Sequence, residues 1–165
     1  MLFLRFGATQ RQLNRNLVVN SISLDQANII AVQSLKKGRE MNFAQLTVAV
    51  LDAGGQLKVL MREDDCSLLR PEIAIGKAWG VLGMGFGGRE LARRAEKVPT
   101  FFTALNAMSN GRMVPVAGGV LIRNAAGQII GSVGISGDTS DNDEVCAVAG
   151  VQASGLVPDT GNPLA

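Results

Sequence analysis

Lys77 sits in an apolar stretch, Ile75-Gly-Lys-Ala-Trp79, where an ammonium either reaches back to the surface or points into a pocket. Farther along, Gly134-Ile-Ser-Gly-Asp-Thr-Ser-Asp-Asn-Asp-Glu144 leads from an apolar strand through clustered acids into an Ala/Val-rich segment. A strand-to-helix junction of this kind gathers polar side chains and free backbone N–H groups, a common place for a site. Asp143 and Glu144 are candidate acid–base groups, because a buried carboxyl acquires the raised pKa needed to protonate a leaving group. Glu72, five positions before Lys77, adds a further acid able to face the same cleft. Arg62 or Arg70, together with Lys77, would hold a carboxylate, and the hydroxyls of Ser136 and Thr139 add substrate contacts. The expected chemistry is acid–base work on a small anionic molecule, with the lysine segment and the acid loop as two walls of one cleft.

Other residue types narrow the choice. The chain has no histidine, which removes the commonest acid–base group and the commonest metal ligand near neutral pH. Any catalysis must use Asp, Glu, Lys, Arg, Cys or ordered water. Cys66 and Cys146 form no C-x-x-C pair and read as reduced, buried thiols. No protein-built metal site is expected. Asp138, Ser140 and Asn142 occupy the first, third and fifth places of a calcium-loop pattern, which then fails, with Asp143 for the glycine and Ala149 for the closing glutamate. A structural reading of the same acids is a capping box at Asp141-Asn-Asp-Glu144, with the helix dipole favouring each charge by roughly 0.3–1 kcal/mol. Gly83-Met-Gly-Phe-Gly-Gly88 matches a dinucleotide fingerprint in letters only, because a helical segment rather than a strand precedes it.

A net charge of +2, with no long basic run and few aromatics, excludes nucleic acid as a partner. The first residues carry Arg5, Arg11 and Arg15 among Leu2, Phe3, Leu4 and Phe6 with no acid, but lack a signal core and a small-residue cleavage site. We read residues 1–22 as a retained extension lying on the domain or on a neighbouring subunit, 23–156 as one domain and 157–165 as a C-terminal tail. The expected setting is cytoplasmic, with no membrane partner.

The elements that must position these residues follow from pattern. Ser23-Leu-Asp-Gln26 is a capping box opening a helix to about Glu40, with Ala27, Ile30, Ala31, Ser34 and Leu35 on one face and Gly38 weakening the last turn. Strands at 47–51 and 57–61 flank Asp52-Ala-Gly-Gly-Gln56, and strands at 119–123 and 129–135 flank Asn124-Ala-Ala-Gly-Gln128, both hairpin turns. A short strand is expected at Val114-Pro-Val116. Helices are expected at 72–81, 89–97, 100–109 and 141–154, with Asn110-Gly111 as a left-handed cap. Two hairpin-plus-helix units imply an α+β domain whose antiparallel sheet has about five strands.

Gly134-x-Ser-Gly-x-Thr139-x-x-x-Asp143, Pro71-x-x-Ala-x-x-Lys77-Ala and Pro115-Val-Ala-Gly-Gly-Val-Leu-Ile122 give the chain its family likeness. It resembles the GlcG/HbpS-like (haem-binding-protein-like) family over about residues 23–156. The resemblance implies a profilin-like α+β fold with a five-stranded antiparallel sheet, assembled as a homo-oligomer, a dimer or larger. It implies a small-molecule ligand, with function varying across the family. Some members bind haem, as accessory proteins of sensors or as tail domains of cobalamin adenosyltransferases. Others belong to catabolic operons, and some resemble lyases that convert hydroxylaminobenzoate to dihydroxybenzoate with release of ammonium. Two expectations follow: a small-molecule-binding protein of a catabolic pathway with lyase chemistry on an aromatic acid, or a non-enzymatic haem or tetrapyrrole-binding accessory protein. For haem the chain departs from pattern, having neither histidine nor tyrosine. Met61, Met84, Met108, Met113, Cys66, Cys146 or Thr100 would have to reach the iron.

Overall fold

The computed structural model describes residues 20–162, so the larger part of the N-terminal extension and the last three residues of the tail lie outside the described residues. Helix α1 (Leu24–Glu40) starts at the capping box read from the sequence: Ser23 Oγ accepts from the Gln26 amide at 3.2 Å, and Gln26 Oε1 accepts from the Ser23 amide at 3.3 Å. Ala27, Ile30, Ala31 and Ser34 are buried along one stripe, as their spacing demands. Gly38 also has a packing reason, because a Cβ there would meet Leu46 Cδ1 at 2.6 Å.

Strands β1 (Thr47–Asp52) and β2 (Leu57–Arg62) form the first hairpin, and β3 (Gly119–Arg123) and β4 (Ile129–Ser136) the second. The two turns are built alike. Asp52 Oδ1 accepts from the amides of Gly54 and Gln56, as Asn124 Oδ1 does from Ala126 and Gln128. Gly55 and Gly127, both at φ 77°, supply the left-handed residue, and a register shift follows in each hairpin.

All neighbours pair antiparallel, in the order β2-β1-β4-β3 followed by a fifth strand beside β3, so the five-stranded α+β expectation holds. The fifth strand differs from expectation. Val114–Val116 forms no strand, because Pro115 has no amide to donate and Val114 donates instead to the Gly76 carbonyl of a helix. The tail supplies β5 (Val157–Asp159), which pairs with β3 and is pinned by an Arg123–Asp159 ion pair at 2.8 Å. Pro158 is tolerated there because β5 is an edge strand.

Side-chain alternation divides the sheet into two faces. Val48, Val50, Val120, Ile122, Val133 and Ile135 pack against α1 and α5 (Ser140–Ala153) in one core. The opposite face receives α2 (Arg70–Met84), which is longer than expected and stops at Gly85 in the left-handed region, φ 69°. Here the sheet presents small residues. A Cβ on Gly119 would meet the Lys77 carbonyl at 2.7 Å, and one on Gly134 would meet the Ala78 amide nitrogen at 2.7 Å. Ser132 Oγ donates to the Ala78 carbonyl at 2.8 Å. Helix α2 therefore lies directly on the sheet backbone. Helices α3 (Gly88–Lys97) and α4 (Pro99–Met108) continue that layer, with Leu91, Phe102, Met113 and Leu121 in a second core. Each fully buried Leu, Ile or Phe contributes about 1.5–3 kcal/mol.

Candidate functional site

Helices α2 and α5 occupy opposite faces of the sheet, yet Lys77 and Asp143 meet across its end. Lys77 Nζ lies 2.8 Å from Asp143 Oδ2, and the two side chains are 3% and 1% exposed. The passage between the layers is opened by Gly118, at φ 93°, where a Cβ would stand 2.8 Å from Lys77 Nζ and 3.0 Å from Asp143 Cβ. Asp143 Oδ1 also accepts from the Asp138 amide at 3.1 Å. Burial pulls the Lys77 ammonium below its ordinary pKa against the opposing pull of Asp143, and pushes the Asp143 carboxyl up against Lys77. Arg70 bears on both, disfavouring the ammonium and favouring the carboxylate.

A second charged group adjoins the first. Arg89, at the start of α3, donates Nε to Glu144 Oε1 and Nη2 to Asp141 Oδ1, each at 2.7 Å. Glu144 Oε2 is buried and has no hydrogen-bond partner among the described residues. Burial raises the Glu144 pKa; the Arg89 hydrogen bond and charge work against it, and Asp141 adds to the rise. This leaves a carboxyl oxygen free beside a fixed guanidinium, an arrangement suited to giving or taking a proton.

The remaining sequence candidates fall into place around this centre to different degrees. Arg70 Nη1 donates to Ser136 Oγ at 3.2 Å. Arg62 pairs with Thr47, which pairs with Ser136, so Arg62 stands two strands away in the same cross-strand row and donates to the Cys66 carbonyl. Thr139 is the N-cap of α5, its Oγ1 accepting from the Asn142 amide at 3.3 Å. The helix thus begins before the capping box expected at Asp141, because Thr139 rather than Asp141 holds the extended cap conformation. Asp138 accepts from the Ala44 and Thr139 amides at 2.7 Å and from Asn142 Nδ2 at 2.8 Å, which tie the α1–β1 connection to α5 and depress its pKa. Glu72 is exposed on the first turn of α2 and makes no hydrogen bond or ion pair among the described residues. The structure thus gathers Lys77, Asp143, Arg70 and Ser136 with Glu144 nearby, and leaves Glu72 and Arg62 outside the group. No sequence pattern links Arg89 to the acids beyond its place directly after Gly87-Gly88, at the start of a helix.

The lysine–acid pair is closed rather than an open cleft. Open space lies elsewhere: a polar cleft of about 410 Å³ includes Arg62 and Glu63, another of about 360 Å³ includes Phe86 and Arg123, and apolar clefts run along α4. A cleft of about 430 Å³ is lined by Ala95, Pro99, Phe102, Ala107, Met113 and Pro115, among others. A smaller one of about 100 Å³ adjoins it through Met113, and Trp79, Met84, Leu105 and Met108 line it. Three of the methionines named as possible iron ligands therefore share one apolar depression. Cys146 is buried in the opposite core, where burial pushes its thiol up to about 11, and Met61 lies on β2. Among the described residues no group of Cys, Asp and Glu is arranged to hold a metal ion, and no helix is long and apolar enough to cross a membrane.

An antiparallel five-stranded sheet between an α1/α5 layer and an α2/α3/α4 layer, joined at one end by a buried lysine–carboxylate pair, defines a profilin-like α+β protein. The chain belongs to the HbpS-like family (haem degrading protein HbpS-like), which it matches over residues 22–152. It is similar to the Klebsiella pneumoniae protein ORFY, with 26% identity and a TM-score of 0.75 over 86% of this chain and 96% of that one. Its fold is similar to that of PduOC crystallised as a haem complex, with 24% identity and a TM-score of 0.74 over 86% of this chain and 99% of that one. An uncharacterised 15.0 kDa Citrobacter freundii protein from the dhaT-dhaS intergenic region is 25% identical over 82% of this chain and 93% of its own length.

Proposed function

We propose that this protein binds a planar, mostly apolar small molecule of the tetrapyrrole class, haem included, in the depression along α4. The observation that carries the reading is the convergence of Met84, Met108 and Met113 on apolar clefts beside Trp79. Family membership and the likeness to a protein crystallised with haem support it. The residues present fit such a group. The larger cleft falls within the roughly 300–1,000 Å³ of ordinary ligand sites, and its walls are apolar. A thioether is the soft iron ligand available there: Met113, buried, lines this cleft, and the exposed Met108 lines the smaller one. Bound haem would supply iron redox chemistry; Pro99, Phe102 and Pro115 would exclude water from it, and Met113 would hold the metal. Titration with hemin should give a saturable Soret shift that Met113→Leu weakens. No shift at micromolar protein would end the reading.

A second reading has its own observation, the unpartnered buried oxygen of Glu144. It is a lyase acting on a hydroxylaminobenzoate-type aromatic acid, in which one water and one proton are taken up and dihydroxybenzoate and ammonium are released. Glu144, its pKa raised by burial, would protonate the leaving nitrogen, and Arg89 would steady the resulting carboxylate. Arg70, whose charge acts on the adjacent Asp143, would be the cation for the substrate carboxylate. Ammonium release on mixing with a hydroxylaminobenzoate, lost in Glu144→Gln, is the test; no release by the unaltered protein would exclude it.

A further inference from the structure

The guanidinium carbon of Arg112 sits over the Trp79 ring, 4.4 Å from its centroid, and Nε donates to the Ser109 carbonyl at 3.2 Å. Stacking and hydrogen bond together fix an exposed arginine in one place. That place adjoins both clefts, although Arg112 itself lines neither. Gly111 and Met113, its chain neighbours, both line the larger cleft, and Trp79 beneath it lines the smaller. No Asp, Glu, Lys or Arg lines either cleft, so their walls leave a ligand charge unanswered. Arg112 has no ion-pair partner among the described residues. Arg94, stacked over Phe86 at 4.0 Å, differs in pairing with Glu90 at 2.5 Å. With Nε engaged, the Nη donors of Arg112 remain, in the fork geometry that grips a carboxylate.

We infer that Arg112 is the carboxylate anchor of this depression, and that the ligand is an apolar ring system carrying at least one carboxylate. The inference rests on the binding reading above. A haem propionate satisfies this chemistry, with Met113 and Phe102 as the apolar side chains of the same cleft.

Equilibrium absorbance titrations of hemin and of hemin dimethyl ester against the unaltered chain, Arg112→Gln and Arg112→Lys test it, with thermal melts to verify folding. Arg112→Gln should weaken hemin by about tenfold or more, the scale of a lost charge-assisted hydrogen bond, and leave the ester within about twofold. Arg112→Lys, which keeps the charge but not the fork, should fall between. If hemin binds the unaltered chain and Arg112→Gln equally, the anchor is overturned while the cleft reading stands. If the unaltered chain binds neither porphyrin, both fall together.

Discussion

Lys77 and Asp143, 66 positions apart in the chain, form a buried ion pair at 2.8 Å that joins two helices lying on opposite faces of the sheet. The contact passes the end of β3 at Gly118, the point where a side chain would collide with both partners. The pair therefore ties the layers together before it does anything else.

Breaking the pair from one side should be severe. Lys77→Met or Asp143→Leu alone leaves an uncompensated buried charge and should cost about 3–5 kcal/mol in urea unfolding. The double variant should recover most of that loss, since an apolar pair removes both desolvation penalties. Additive losses would show that the two groups are not energetically coupled.

Gly134→Ala should destabilise the chain by at least about 1–3 kcal/mol, because its new methyl would press on the Ala74 carbonyl and Ala78 amide of α2. Comparison of melting curves with the parent chain measures it; an unchanged melting temperature would mean that α2 does not lie directly on the sheet.

Asp138 and Glu144 should give opposite pH dependences. Hydrogen bonds from Ala44, Thr139 and Asn142 hold the Asp138 carboxyl below its ordinary 3.8, so its contribution is present above 3.8 and lost as pH falls through the lower folded value. Asp138→Asn should flatten the acid limb of a stability–pH curve.

Glu144 has the reverse sign. Its folded pKa is raised above 4.5, so its contribution is complete below 4.5 and is lost as pH rises through the folded value. The stability of Glu144→Gln relative to the parent should therefore improve as pH climbs from about 4.5, measured by urea titrations across the range. A constant difference would mean that the carboxyl is not perturbed.

Arg123→Ala should loosen β5 and with it the end of the tail, because the Asp159 carboxylate loses its partner on the neighbouring strand. Hydrogen exchange should accelerate at the amides of Val157 and Asp159 and leave β1 and β4 protected; uniform protection would show that the ion pair does not hold the strand.

Local chemistry made much of this protein legible from its residues. The capping box at Ser23, the two Asx-headed hairpin turns and the β-branched apolar runs of β1, β3 and β4 each depend on near neighbours, so short-range pattern determined them. The family motifs likewise lie in continuous runs. Other features needed the folded chain. A three-residue edge strand, Val157–Asp159, has too little pattern of its own and exists because β3 offers an unpaired edge and Arg123 a charge. Lys77 read equally well as surface or interior, since only the approach of α5 past Gly118 supplies the carboxylate that makes its burial tolerable. The methionines of the α4 depression come from separate segments whose meeting depends on how α2 and α4 pack. Sequence determined the elements because their causes are local; tertiary structure decided the site because its partners are distant in the chain and become neighbours only when the layers close.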